Sequence, residues 1–232
     1  GTLDIRSGGV VTSGEGRIAS GEGSSGVVTI DGTGSAWSST GTITLGNFGN
    51  GIVTVRNGGS ISATGGIGIA LEAQSTSALN IGAAAGDVAA APGTVAVSNI
   101  LFGAGDGRLV FNHTSTGYSF APTLLGDGRI DQIAGTTIMG GDSGAFTGST
   151  RVEGGQLIVN GSLAASNVTV SGGVLGGTGM LGNVGIHPGG TISPGHGSIG
   201  TLTVANFGQA PGSTYQVELA TNGTGDRINV AG

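Results

Sequence analysis

Three aspartates and an arginine stand close together in the chain: Asp127, Asp131 and Asp142, with Arg129 between the first two. Paired carboxylates perform glycoside hydrolysis, and carboxylates converging on one face hold Ca²⁺. Asp127 and Asp142, however, each follow a glycine and precede Gly or Ser, which is the setting of turn residues. Of the three histidines, His113 lies in an Asn-His-Thr step, while His187 and His196 sit in Pro/Gly-rich turns. The latter two lack the third ligand that a shared metal would need. Ser193-Pro194-Gly195 is no nucleophile elbow, and no G-x-S-x-G occurs. The glycine-rich stretch from Gly14 lacks the lysine of a phosphate loop. The run Gly103-AGDGRLVF faintly resembles a Ca²⁺-binding repeat that works only in consecutive copies, and since it occurs once it is set aside. Asn112, Asn167 and Asn222 begin Asn-x-Thr patterns, to which no function is assigned. These residues therefore read as structure: no catalytic, cofactor-binding or metal residue is expected and no cofactor, while the binding residues stay open.

The elements that carry these residues follow from composition. Of 232 residues, 53 are glycine and only 5 proline, with no G-X-Y period, which excludes a collagen helix. Charged residues make up only 9% and mean hydropathy is positive, so the chain does not fit the disordered class. Cysteine is absent, so no disulfide contributes. The seven basic residues are all arginine, against thirteen acids, giving a net charge of −6. That balance disfavours nucleic acid and anionic lipid as partners. No apolar run approaches the roughly 20 residues that cross a bilayer. The sequence opens at Gly1 inside a strand-like pattern, so a targeting signal and any membrane part are expected outside it.

One phrase recurs along the chain. A glycine precedes about five residues in which apolar ones alternate with Thr or another polar one, then comes a Gly-containing turn and a second short strand. It is seen from Gly1, Gly26, Gly41, Gly51, Gly155, Asn167, Gly182 and Gly200. Period two puts Val53, Val55 and Ile61 on one side and Thr54, Arg56 and Ser60 on the other. Short punctuated strands of similar composition predict an all-β, right-handed parallel β-helix of roughly ten rungs, with little or no α-helix. Its core would be a thin aliphatic column and its bends would be glycines. The least regular stretch, Ala70–Ala91, reads as rungs with a loop near 83–93. Trp37 reads as packing rather than a ligand platform. Phe102, Phe111, Tyr118 and Phe120 read as the mark of a wider or more irregular rung rather than a carbohydrate platform.

The stretch Gly126–Leu163 resembles the passenger-associated transport repeat of type V autotransporters, a family of secreted bacterial proteins. The matching pieces are Thr136-TIMGGDSG, Phe146-Thr147-Gly148, Ser149-TRVEGG and Gln156-LIVNGSL, with Phe146 where Tyr is commoner and Gln132 where Lys is frequent. Gly107-RLVFNHTSTGYSF resembles the run leading into that repeat. Ser193-PGHGSIGTL, with the rung from Tyr215, resembles the C-terminal β-helix of such passengers, and Gly32–Ser62 resembles another of their repeats.

The resemblance divides one continuous β-helix, 1–232, into N-terminal rungs (1–100), the passenger-associated repeat (101–165) and C-terminal rungs (166–232). It implies a non-enzymatic extracellular stalk or adhesin, displayed on a Gram-negative surface or released, whose C-terminal rungs help export-coupled folding. It also implies that the protein's own translocator barrel lies outside this chain. The expected partner is a host cell-surface or matrix component or another passenger chain, and no small-molecule substrate is expected. The alternative is a carbohydrate-active enzyme of lyase or glycosidase type, or a glycan-binding module, because parallel β-helices also carry such functions.

Overall fold

Each strand phrase lies on the one before it. The computed structural model describes residues 1–231, and among them the regular secondary structure is all β, with no helix. Four parallel sheets run along the molecule. The long sheet has twelve strands: Thr2–Arg6, Ser25–Asp31, Asn50–Arg56, Thr76–Gly82, Asp106–Asn112, Arg129–Ala134, Ser149–Val152, Asn167–Val170, Met180–Ile186, Thr201–Gln209 and Arg227–Val230 in order, with Ser162–Leu163 beside Met180–Ile186. The second sheet holds Val10–Ser13, Ala36–Ser39, Ser60–Ala63 and Thr94–Val97. The third runs from Gly16–Ile18 through Ile43–Leu45, Ile67–Ile69 and Asn99–Phe102 to Thr123–Gly126. The fourth begins at Tyr118–Phe120 and continues through Thr136–Met139, Gln156–Val159, Val174–Gly177 and Thr191–Pro194 to Thr214–Tyr215. Parallel strands cannot be joined by tight hairpins, so each chain pass travels round the other faces before rejoining its sheet. The result is the parallel β-helix that the sequence pattern predicts.

Register shows why the pattern works. Along the long sheet one inward row reads Leu3, Val28, Val53, Leu79, Leu109, Ile130, Thr150, Val168, Val184, Phe207. The row two residues on reads Ile5, Ile30, Val55, Ile81, Phe111, Gln132, Val152, Val170, Ile186 and ends at the exposed Gln209. Val53, Val55 and Ile61 are fully buried, while Thr54, Arg56 and Ser60 are only partly so, as their alternation requires. Trp37 lies inside this core, between Val11 and Ile61 on neighbouring strands, and its Nε1 donates to Ser13 Oγ at 3.1 Å. It is a packing residue, and a methyl at Gly16 would stand 2.5 Å from its ring.

Corners use left-handed backbone. The sequences Arg6-Ser7-Gly8-Gly9 and Arg56-Asn57-Gly58-Gly59 both place two central residues at positive φ, and Gly9 and Gly59 N–H close the turns on Arg6 and Arg56 carbonyls at 2.9 Å. These are primed turns, for which Asn-Gly is the preferred sequence.

The coil changes size midway. Thr2 stands opposite Val27, a step of 25 residues, and Ala78 opposite Arg108, a step of 30. Ser149 stands opposite Asn167, a step of only 18. The longest step carries the strand-free segment 83–93. The second and third sheets end and the fourth begins where the aromatic residues lie. Phe111 and Phe120 meet edge to face at 5.1 Å, and the rings of Phe102 and Phe146 lie tilted at 5.4 Å.

Replacing Ile81, fully buried in the inward row, by Ala is expected to cost about 2–5 kcal/mol. Replacing the outward-facing and exposed Ile52 should cost about 1 kcal/mol or less. Chemical denaturation of the two variants measures the difference, and equal losses would contradict the assigned faces.

Candidate functional site

The acidic cluster singled out by sequence does not converge. Asp131 is buried with its side chain only 2% exposed, and its Oδ2 accepts from Arg108 Nε and Arg129 Nε, both at 3.1 Å. Two guanidiniums on one buried carboxylate make a brace between neighbouring strands, since a carboxylate buried there with no cation beside it would be costly. Asp127 is exposed in a bend. Asp142, also exposed, accepts from Gly144 N–H at 3.2 Å, as an aspartate that shapes its own turn does. His187 and His196 are both exposed, and no group of three potential metal ligands exists among the described residues.

His113 is completely buried. Its Nε2 lies 2.9 Å from Thr137 Oγ1, and its ring packs 5.2 Å from that of Tyr118. Burial disfavours the imidazolium and lowers its pKa below the ordinary histidine value. The Tyr118 hydroxyl is pushed up to about 12, again by burial. Neither group faces an open site, so both belong to the core that rebuilds the coil.

Asn112 has a different task. Its Nδ2 donates to Ala84 O at 2.8 Å and Asp87 O at 2.9 Å, clamping the segment 83–93. The far end of that segment is held where Asn57 N–H donates to Ala91 O and Thr114 N–H to Ala90 O. Between these anchors Val88 is 92% exposed, an apolar side chain held out on a fixed corner.

Beyond this loop the second sheet turns an outward row to solvent: Thr12, Ser38, Ser62 and Ala96, with Ser62 Oγ donating to Ser38 Oγ at 3.1 Å. At its end a shallow groove of about 480 Å³ opens between Val97 and Ser98 on one side and Ser119 and Pro122 on the other, with Ser62 and Thr64 on its flank. No charged residue lines it. The hydroxyl row and the groove form an uncharged surface, with the exposed Asp87 on the loop beside Val88, and it is suited to hydrogen-bonded contact rather than to proton transfer or nucleophilic attack.

Sequence reading missed the hydrogen-bonded asparagine row Asn167, Asn183 and Asn206 on the long sheet. Its signal is the recurrence of Asn followed by Val or Phe and then Thr or Gly: Asn167-Val-Thr, Asn183-Val-Gly, Asn206-Phe-Gly.

The fold is that of a parallel β-helical repeat protein, and its partial similarities to known proteins make it autotransporter-like. The chain is 33% identical over 182 residues, 74% of its length, to the uncharacterized lipoprotein YdeK of Escherichia coli (strain K12). It is 32% identical over 140 residues, 55% of its length, to the adhesin BmaC autotransporter of Brucella suis biovar 1 (strain 1330). It is 38% identical over 61 residues, 25% of its length, to the uncharacterized protein YuaQ of Escherichia coli (strain K12). The chain spans 13% of the length of the first of these proteins and 4% of each of the others. No family model matches it, and no solved structure does.

Because its folded-state pKa is lowered, His113 supports the fold while it is neutral in both states. Stability is expected to fall as pH drops below about 6.5, where the unfolded chain takes up the proton first, and to level off below the folded-state value. Thermal unfolding between neutral pH and mildly acidic pH reads the slope, and His113→Gln should remove its own share of it.

Proposed function

We propose that this chain is a segment of an autotransporter passenger, a rigid, non-enzymatic β-helical stalk or adhesin standing outside a Gram-negative cell, displayed through a translocator barrel or released. The observation that carries this reading is the pair of inward rows, which continue from rung to rung without widening into a lined cavity. A column stacked in that way is stiff along its axis and leaves only outward rows and corner loops for contact. The partial similarity to an autotransporter adhesin supports the same reading. Against an enzyme stands the position of Asp131, whose burial under two arginines leaves no facing carboxylate pair.

The partner is a host cell-surface or matrix component, or another passenger chain, met by the hydroxyl row of the second sheet and the Val88 loop. The C-terminal rungs serve export by folding first and acting as a template on which later rungs stack, which needs no energy source outside the cell.

Two measurements test this. Cells displaying the full passenger with Ser38→Glu and Ser62→Glu, both on the outward row, should adhere several-fold less than wild type while their surface level is unchanged. Unaltered adhesion would remove the second sheet from the binding surface. Hydrogen exchange should find residues 126–232 better protected than 1–100, and the reverse order would end the template role.

A further inference from the structure

Glycine inside a strand weakens it, and its presence there calls for a reason. Most strand glycines of this chain have one. A methyl at Gly26 would stand 2.6 Å from Ile18, one at Gly51 2.6 Å from Gly46 N, one at Gly182 2.3 Å from Ser166 O, and Gly82, Gly126 and Gly177 have positive φ. Gly185 and Gly208 have none of these reasons. Neither has a positive φ. A methyl at Gly185 would meet only His187 Nε2, at an ordinary 3.6 Å, and one at Gly208 would meet nothing within 4 Å. The two are partners in register on neighbouring strands, following Thr169 in the same outward row.

Two residues back on the same face runs the asparagine row. Asn183 Nδ2 donates to Asn167 Oδ1 at 2.7 Å, and Asn206 Nδ2 donates to Asn183 Oδ1 at 2.8 Å. A primary amide carries two N–H donors, so each amide of the row keeps at least one free N–H. All three side chains are exposed, and the ladder bonds fix their rotamers in advance of any ligand. Asparagine row and glycine row bound a trough of about 380 Å³ on the outer face, free of charged residues. The exposed His187, two residues beyond Gly185, stands at its other side.

We propose that this trough binds a linear neutral glycan lying along the axis of the β-helix, its hydroxyls taking hydrogen bonds from the free amide N–H groups while the missing side chains of Gly185 and Gly208 let the sugar rings lie flat on the backbone. Spacing selects the ligand class. The donors repeat once per rung, at about 4.8 Å. An extended peptide repeats every 3.3 Å or so, and same-side groups at about twice that, so it falls out of step with the row. In a β-1,4-linked glucan or N-acetylglucosamine chain each pyranose advances by close to one strand spacing, and since successive rings are turned over, like hydroxyls recur at every second rung and stay in step with the row. The uncharged lining matches a neutral polymer. The site lies on a different face from the hydroxyl row and the Val88 loop, and it stands whether or not those surfaces bind a partner.

Calorimetric titration of the purified chain with cello- and chito-oligosaccharides, using malto-oligosaccharides as the α-linked control, tests the assignment. Gly208→Leu and Gly185→Thr fill the trough where there is room for side chains. They are expected to weaken binding of the β-linked oligosaccharides at least about tenfold while melting at the same temperature or higher. Asn183→Ala, which breaks the amide ladder, should weaken binding as well. The proposal is overturned if wild type binds neither β-linked series, if it binds the α-linked series equally well, or if the filled variants bind undiminished. Loss of thermal stability on filling would also overturn it, because the glycines would then have a structural reason.

Discussion

Parallel stacking in register is the constraint on which the rest of this molecule depends. Apart from the sheet ends and Ser162–Leu163, each strand bonds to the strand one pass earlier and one pass later, so its side chains lie against their counterparts in the neighbouring rungs. A residue on the inward row must therefore fit both the column and its two neighbours in the row. Ile5, Ile30, Val55 and Ile81 satisfy this with nearly the same volume, and the coil keeps an almost constant step over those rungs. When Phe111 takes the next place in the row, the column must be rebuilt. Phe120 meets Phe111 edge to face, the second and third sheets give way to the fourth, and the step shortens.

The rebuilt region carries several of the buried polar groups. Gln132 follows Phe111 in a mostly apolar inward row, and its Nε2 donates to the carbonyls of Ala134 and Gly135 while its Oε1 has no protein partner. Thr150, the other polar residue of the inward rows at this level, bonds Ser166 Oγ at 2.9 Å, and that hydroxyl goes on to Gly148 O. Each such group costs desolvation that its hydrogen bonds must offset, and the exchange leaves little net stability. What these bonds supply is geometry: they tie inward side chains to corner carbonyls and so fix where the shorter coil turns. A purely aliphatic column lacks such ties, and its rungs could slide by two residues without changing face.

The alternation of Val53, Thr54 and Val55 and the Asn57-Gly58 turn made the fold legible, because period two and left-handed turn chemistry are local properties of a sequence. The break in the coil was visible only as a grouping of aromatic residues, since which strands pair depends on contacts far apart in the chain. Asn167, Asn183 and Asn206 escaped notice for a related reason. They are stacked neighbours, yet the steps between them are 16 and 23 residues, so no fixed period joins them. The cluster of Asp127, Asp131 and Asp142 misled in the opposite way. Asp131 lies on a strand, Asp127 in a bend and Asp142 at an isolated bridge to Ser162, and Asp131 is held by Arg129 and by Arg108 of the previous rung rather than facing the other two aspartates.

A solenoid separates its two duties by row. Inward positions are bound to the column and corner glycines to left-handed backbone or to close contact with the rung before, so neither can change freely in the service of recognition. Outward strand positions carry neither obligation. A residue there that departs from what a strand favours is informative in a way that a core residue is not. Ser38 and Ser62 sit where β-branched residues would serve the sheet better, and Gly185 and Gly208 sit where any side chain would. The local stability given up at such positions is what the proposed contacts would account for, and it distinguishes them from Gly16 or Gly182, whose neighbours leave no room for a side chain.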